Sequence, residues 1–313
     1  MKRPLSLAHR GQQGFSLVEL MIAIALGGLI IAAVGTVYVG SRQSFRTQDA
    51  MARIQEGARY AFETMSYDIR QVGLGCETVN TDPVDSTWYN NLFKRPLLGY
   101  ESGSGLPADV TDVVADTDAL MVLRADKRGE VRLTSAATTA TDHGIGNGGL
   151  AVVTEDYSDA TVYTASGASG TSITLGTALN CSTGVAPTAD YRLLPLVGHI
   201  YHIRENGNGV PSLYRETLLA DGTTEAQEVI EGVEDMQIEY GEDTSQVSVV
   251  ECPDDGCSAD TYRDDAGDVT NWNRVVSVRI TLTMRSAETG AGVGGDGFLR
   301  KTFTTTIAVR NRL

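Results

Sequence analysis

The chain has 313 residues, is 42% hydrophobic and carries a formal net charge of −15, so it is long and apolar enough to bury one large core or two small ones. The charge is uneven: eight Lys/Arg stand against five Asp/Glu up to Arg70, then 17 against 35 beyond it. An acidic outer part without clustered cations excludes a nucleic-acid groove, because phosphate contact needs grouped Lys and Arg.

Residues 1–14 read as a short basic leader without an apolar region of its own, carrying Lys2, Arg3 and Arg10. These charges are consistent with a cytoplasmic N-terminus by the positive-inside bias, although Arg42 and Arg46 beyond the apolar run keep the asymmetry modest. Leu20 to Val39 is twenty residues with no charged side chain. As a helix they rise roughly 30 Å, the thickness of a bilayer's hydrocarbon core. An ordinary transmembrane anchor satisfies that length, whereas a secretory signal has a shorter apolar region of roughly 7 to 15 residues. Neither accounts for Glu19, a carboxylate at the start of the run that costs roughly 3 kcal/mol in hydrocarbon unless it is paired.

Gly14, Phe15, Ser16, Leu17, Val18 and Glu19, followed by the apolar run, resemble the class III leader junction of type IV pilins and of type II secretion pseudopilins. The resemblance implies that a prepilin peptidase cuts between Gly14 and Phe15 on the cytoplasmic side and N-methylates Phe15. Glu19 becomes the fifth residue of the mature chain, and its carboxylate neutralises the terminal amine of a neighbouring subunit during filament assembly. Within the span, Gly28, Ala32, Thr36 and Gly40 recur every fourth residue. Small side chains at that spacing let another helix's backbone approach closely. Glycine and alanine are also simply common in transmembrane helices, and the sequence alone leaves both readings open.

Past the membrane surface, Met51, Ile54, Ala58, Phe62, Met65, Ile69 and Val72 follow helical steps, with Arg53, Glu56, Arg59, Glu63, Asp68 and Arg70 between them. That is one amphipathic face, with the charged side expected toward solvent or a partner. Gly73 and Gly75 mark the stop. A continuous helix over 15–72 would reach about 87 Å. The stretch 57–76 resembles the corresponding helix end of PilW-type minor pilins, which carry an Arg-Tyr-Ala step, an Asp-x-Arg step and a glycine-rich exit to a cysteine. This chain has Arg59-Tyr60-Ala61, Asp68-Ile69-Arg70 and Gly73-Leu74-Gly75-Cys76.

Beyond Cys76 the helical period disappears, and Pro83, Asn90, Asn91, Pro96 and Gly99 predict an irregular connection. Runs rich in Val, Ile, Thr and Tyr predict strands at 119–124, 130–134, 150–154, 161–164, 171–175, 191–204, 210–214, 228–240, 275–284 and 302–309. Val276, Val278, Ile280, Leu282 and Met284 alternate with polar residues, so that strand has one buried and one wet face. The segment 232–241, GVEDMQIEYG, resembles a strand and turn shared by PilW-like pilins and J-type pseudopilins. Three long polar stretches, 135–149, 241–271 and 286–297, are expected to face solvent or a partner.

The four cysteines, Cys76, Cys181, Cys252 and Cys257, permit two disulfides in any of three pairings if the head lies in an oxidising compartment. The turn-rich residues between Cys252 and Cys257 favour that pair, leaving Cys76 to Cys181. The scattered spacing does not match usual zinc ligand sets. Asp254, Asp255, Asp260, Asp264, Asp265 and Asp268 offer hard oxygen atoms to calcium, but without a regular calcium-loop spacing they read as a solvated face. His199 and His202, three apart on a strand, point to opposite faces. No nucleophile elbow, Walker loop, HExxH or dinucleotide fingerprint is present, so neither an enzyme nor a cofactor is expected.

The expected fold is therefore α+β and pilin-like: a long N-terminal helix, transmembrane in its first half and amphipathic in its second, packed on a large, mostly antiparallel β head. Expected boundaries are a leader at 1–14, the helix at 15–75 with its span at 20–39, and a periplasmic or extracellular head at 76–313. The resemblance implies a minor pilin of the inner membrane and then of the cell-surface pilus, acting in pilus initiation with a place at the tip, in twitching motility and adhesion. Its implied partners are prepilin peptidase, other minor and major pilins, a tip-associated adhesin, the inner-membrane assembly platform and membrane lipid, with no nucleic acid. The alternatives are a J-type pseudopilin of type II secretion and, from another class, a membrane-anchored periplasmic binding protein or hydrolase.

Overall fold

The computed structural model describes residues 14–73, 87–91, 95–157, 160–180, 186–219, 221–244, 258–289 and 295–309. Two compact units divide at Asp49 and Ala50. In the first, helix α1 (Leu17–Ile69) begins one residue after Ser16, whose carbonyl accepts from the Leu20 N–H at 3.1 Å. Its large apolar side chains have no cover of their own: Phe15 is 80% exposed and Ile31 74%.

The second unit starts with the last turns of α1, where the burial pattern changes. Ile54, Gly57, Ala58, Ala61, Met65, Asp68 and Ile69 are buried at steps of three and four, as one face of a helix laid on a core must be. Phe62 is only partly buried, and Ala61 takes the inward place. The helix ends as the glycine signal predicts: Gly73 turns with φ +74°, and its N–H donates to the carbonyl of Leu123.

Among the described residues the head has fourteen strands, all paired antiparallel. They are β1 (Leu97–Tyr100), β2 (Ala119–Ala125), β3 (Val131–Ser135), β4 (Thr138–Thr139), β5 (Leu150–Thr154), β6 (Ala160–Ser169), β7 (Ser172–Asn180), β8 (Arg192–Glu205), β9 (Pro211–Leu218), β10 (Thr224–Glu231), β11 (Val233–Glu242), β12 (Thr261–Arg263), β13 (Val275–Arg285) and β14 (Arg300–Ala308). The fold is thus a pilin-like α+β arrangement of one long apolar N-terminal helix and a large antiparallel β region.

The long strand β8 organises the first sheet. Its N-terminal residues pair with β3 on one side and β5 on the other, and the order β8-β3-β4-β7-β6-β5 closes back on β8 as a ring. Period-2 alternation points Leu133, Ala151, Val153, Tyr163, Ala165, Ile173 and Leu193 into this ring as one cluster. The rest of β8 pairs with β2 and β9, and β1 and β10 extend the sheet outward. There the two faces of the strands feed different cores. Leu120, Val122, Tyr201 and Ile203 join α1, while Met121, Leu123, Leu196 and Ile200 join Trp88 and Val110 behind the sheet. Covered on both sides, β2 is buried along its whole length.

The second sheet, β12-β11-β13-β14, closes over the same part of α1 with Met236, Ile238, Val278, Ile280 and Leu282. The alternation expected for β13 holds from Val278 onward, with Val278, Ile280, Leu282 and Met284 buried and Arg279, Thr281, Thr283 and Arg285 half-buried, whereas Ser277, expected on the wet face, is buried beside Val275 and Val276. The expected 228–240 run is two strands, because Gly232 (φ +81°) turns the chain between β10 and β11. A Cβ at Gly232 would lie 2.8 Å from the Arg285 carbonyl oxygen, so the turn needs glycine. Gly99, expected in an irregular connection, lies instead within β1. A Cβ there would come 1.8 Å from the Tyr240 hydroxyl, so the missing side chain lets the second sheet approach the first. Strands β6 and β7 run longer than predicted, because Gly167, Gly170 and small polar residues hide their alternation without preventing pairing.

Candidate functional site

Two regions draw functional side chains together or leave them unpartnered. The first is where α1 meets the head. Asp68, 2% exposed, accepts from Arg124 Nε at 3.0 Å and from the Tyr201 hydroxyl at 2.5 Å, with His199 Nε2 at 3.5 Å. Arg124 on β2 also donates to Asp126 at 3.1 Å, and its guanidinium lies 5.1 Å from the centroid of the Tyr67 ring. An unpaired carboxylate in such a place would be very costly. Supplied with an arginine and a tyrosine from two neighbouring strands, it fixes where α1 sits along the sheet.

The sequence reading placed Asp68 on the charged, outward side of α1; the structure corrects this. Asp68 lies three residues after Met65 and four before Val72, in phase with the buried stripe. That phase was the available signal, and the residue's charge hid it. The expectation that His199 and His202 do not converge agrees with the structure. His199 faces Asp68, while the ring of His202 stacks on Tyr214 at 6.1 Å.

Burial pushes His199 down to about 4, helped by Arg215 and Arg124 and opposed by Asp68; burial also pushes His202 down to about 4, with Arg204 acting in the same sense. The ordinary value is 6.5, so between about pH 6.5 and 4 the unfolded chain binds more protons and stability falls as pH falls. Each histidine contributes at most about 3 kcal/mol. Burial raises Asp118, Glu216 and Glu101, and these carboxylates act in the opposite sense, reducing the net loss. Denaturant midpoints measured at pH 7 and 4.5 should therefore fall on acidification, and His202→Gln should flatten the slope whatever it does to stability at pH 7. An unchanged slope would refute the assignment.

The second region is the N-terminal segment. Gly14 and Phe15 precede α1 outside any helix or strand, and Glu19 stands in its first turn, exposed. Gly28, Ala32, Thr36 and Gly40 are exposed too, and a Cβ added at Gly28 or Gly40 would meet nothing within 4 Å. The Thr36 hydroxyl turns back to the Ala33 carbonyl at 2.8 Å, so the helix satisfies it internally. The apolar part of α1 is long enough to cross a membrane and has no buried residue. This surface matches lipid or other helices, not water.

Of the calcium candidates, Asp264, Asp265 and Asp268 lie among the described residues, while Asp254 and Asp255 do not. Asp265 caps a short turn by accepting from Gly267 N at 2.6 Å, and Asp260 accepts from Thr244 N at 3.0 Å. Among the described residues no three His, Cys, Asp or Glu side chains converge as metal ligands. Cys76, Cys181, Cys252 and Cys257 all lie outside the described residues.

A helix long and apolar enough to cross a membrane, preceded by a Gly-Phe junction with an acid in its first turn and leading to an antiparallel β region, is the arrangement that the pilin resemblance implies. Residues 9–35 match the prokaryotic N-terminal methylation motif, and residues 200–311 match the family described as type IV pilus-assembly protein W. Together the two matches support a PilW-like type IV minor pilin, from a family of structural pilus components. The second match starts within β8 and takes in β9 to β14, leaving all of β3 to β7 and the stretch 57–76 outside both ranges. Comparisons with curated proteins and with solved structures find no match.

Proposed function

We propose that the chain is made as a prepilin, cleaved between Gly14 and Phe15, methylated at Phe15, and held in the inner membrane with its head in the periplasm until it enters a type IV pilus. There it takes part in starting the filament and lies at or near the tip. The carrying observation is the unpartnered apolar surface of α1 around Glu19, joined to a methylation motif. Glu19 pairs with a neighbouring subunit's terminal amine, and the stripe of Gly28, Ala32, Thr36 and Gly40 sets the approach of the next helix. The β head selects neighbours among minor and major pilins and a tip adhesin, while the assembly platform and lipid receive α1. The PilW match favours the pilus over type II secretion.

Mass spectrometry of the mature N-terminus tests the reading. N-methyl-phenylalanine at Phe15 is expected. An intact Met1, or a cut beyond the apolar run, would exclude it. Loss of twitching and surface pili on deletion, with exoprotein secretion intact, is expected for a pilus component, and the reverse pattern for a pseudopilin.

A further inference from the structure

A cavity of about 390 Å³ opens between Arg95 and the loop 266–273, with Gly267, Thr270, Asn271, Trp272 and Asn273 in its lining. The assembly reading makes no use of it. Part of its wall belongs to the core under α1, to which Val269 and Trp272 contribute. Glu242, at the end of β11 and fully buried, accepts from the Thr270 hydroxyl and, at 2.9 Å, from the Asn271 N–H. Asn271 Oδ1 in turn accepts from Asn273 N at 3.0 Å, and Asp265 Oδ1 from Gly267 N at 2.6 Å. A buried carboxylate is costly unless hydrogen-bonded; this one binds the loop through one oxygen, and Arg263 Nε on β12 lies 3.6 Å from the other. Trp272, 8% exposed, meets Tyr240 edge-on with ring centroids 4.8 Å apart, which fixes the indole. The concavity is therefore preorganised, and a ligand would not have to order it.

The lining selects the kind of ligand. Two carboxamides, a hydroxyl, a guanidinium and exposed backbone offer donors and acceptors in mixture, beside one aromatic ring. An apolar ligand would strand these groups. A polyphosphate would meet Asp264, Asp265 and Asp268 on and beside the same loop, and a metal ion lacks three converging ligands among the described residues. A pyranose complements this mixture with hydroxyls that both donate and accept. The volume lies in the lower part of the range of small-molecule sites. We propose that this cavity binds a saccharide of one or two rings, held by Arg95, Asn271 and Asn273 beside Trp272. The proposal stands apart from the assembly reading, since the pocket binds or fails to bind whether or not the protein polymerises.

The test uses the full-length protein in a detergent without a sugar headgroup, with glucose, N-acetylglucosamine and galacturonate as probes in saturation-transfer NMR. Transfer to the ring protons of at least one probe is expected, with a Kd on the order of millimolar. Arg95→Ala combined with Asn273→Ala should weaken it about tenfold. The two single variants are measured alongside, each checked by its melting curve, so that a folded protein is available for comparison. No transfer to any of the three probes, or equal binding by the folded variants, would overturn the proposal.

Discussion

Asp68→Ala is expected to destabilise the head by about 3 kcal/mol, the lower end of the range for removing one partner of a buried pair. The lower end applies because Arg124 keeps Asp126 as a second acceptor at 3.1 Å. The Tyr201 hydroxyl, by contrast, loses the acceptor it has among the described residues, in a fully buried position. Asp68→Asn should cost less, since it keeps the volume and an acceptor oxygen while removing the charge. Pairing Asp68→Leu with Arg124→Met should recover part of the loss, because an apolar pair avoids the desolvation that the ion pair must offset. Urea midpoints of the full-length protein, followed by near-ultraviolet circular dichroism, measure all of these. A midpoint shift at constant slope reports stability alone. If Asp68→Ala moved stability by less than 0.5 kcal/mol, Asp68 could not be what fixes α1 on the sheet.

That residue also marks where sequence reading stops. The buried stripe of α1, its end at Gly73 and the alternation along β13 were legible because each is a local period that burial alone enforces. Partnership is not local. Nothing in the run of β8 says that its first residues close a ring while the rest lies under α1, because a strand buried on both faces loses the alternation that would tell them apart. Gly99 looked like a loop residue because its reason for being glycine is Tyr240, far along the chain. The Gly14, Phe15 and Glu19 signature was legible as a motif, since it depends on order in the chain and not on folding. The cavity beside Trp272 could not, for the acid that shapes it, Glu242, comes from the end of a strand outside the loop.

Glu19→Ala should lower incorporation into pili about a hundredfold while leaving the cellular amount of protein and the N-methylation of Phe15 unchanged. The argument begins with what does not drive assembly. In the proposed assembly, residues 17–39 leave lipid for a bundle of similar helices, so apolar surface is exchanged for apolar surface and the hydrophobic effect contributes little. Packing along the small-residue stripe and the pairing of charges must then decide the equilibrium. A cleaved subunit brings a terminal ammonium into this apolar setting, and an unmatched charge there costs roughly 3 kcal/mol or more. At about 1.4 kcal/mol per decade, that is two orders of magnitude. Glu19→Asp, one methylene shorter, should retain part of the function, and Glu19→Gln, isosteric but uncharged, should resemble alanine. Immunoblots of sheared pili against whole cells provide the measurement. Wild-type incorporation of the alanine variant would show that the acid is not the partner, and the assembly role proposed for this helix would fall with it.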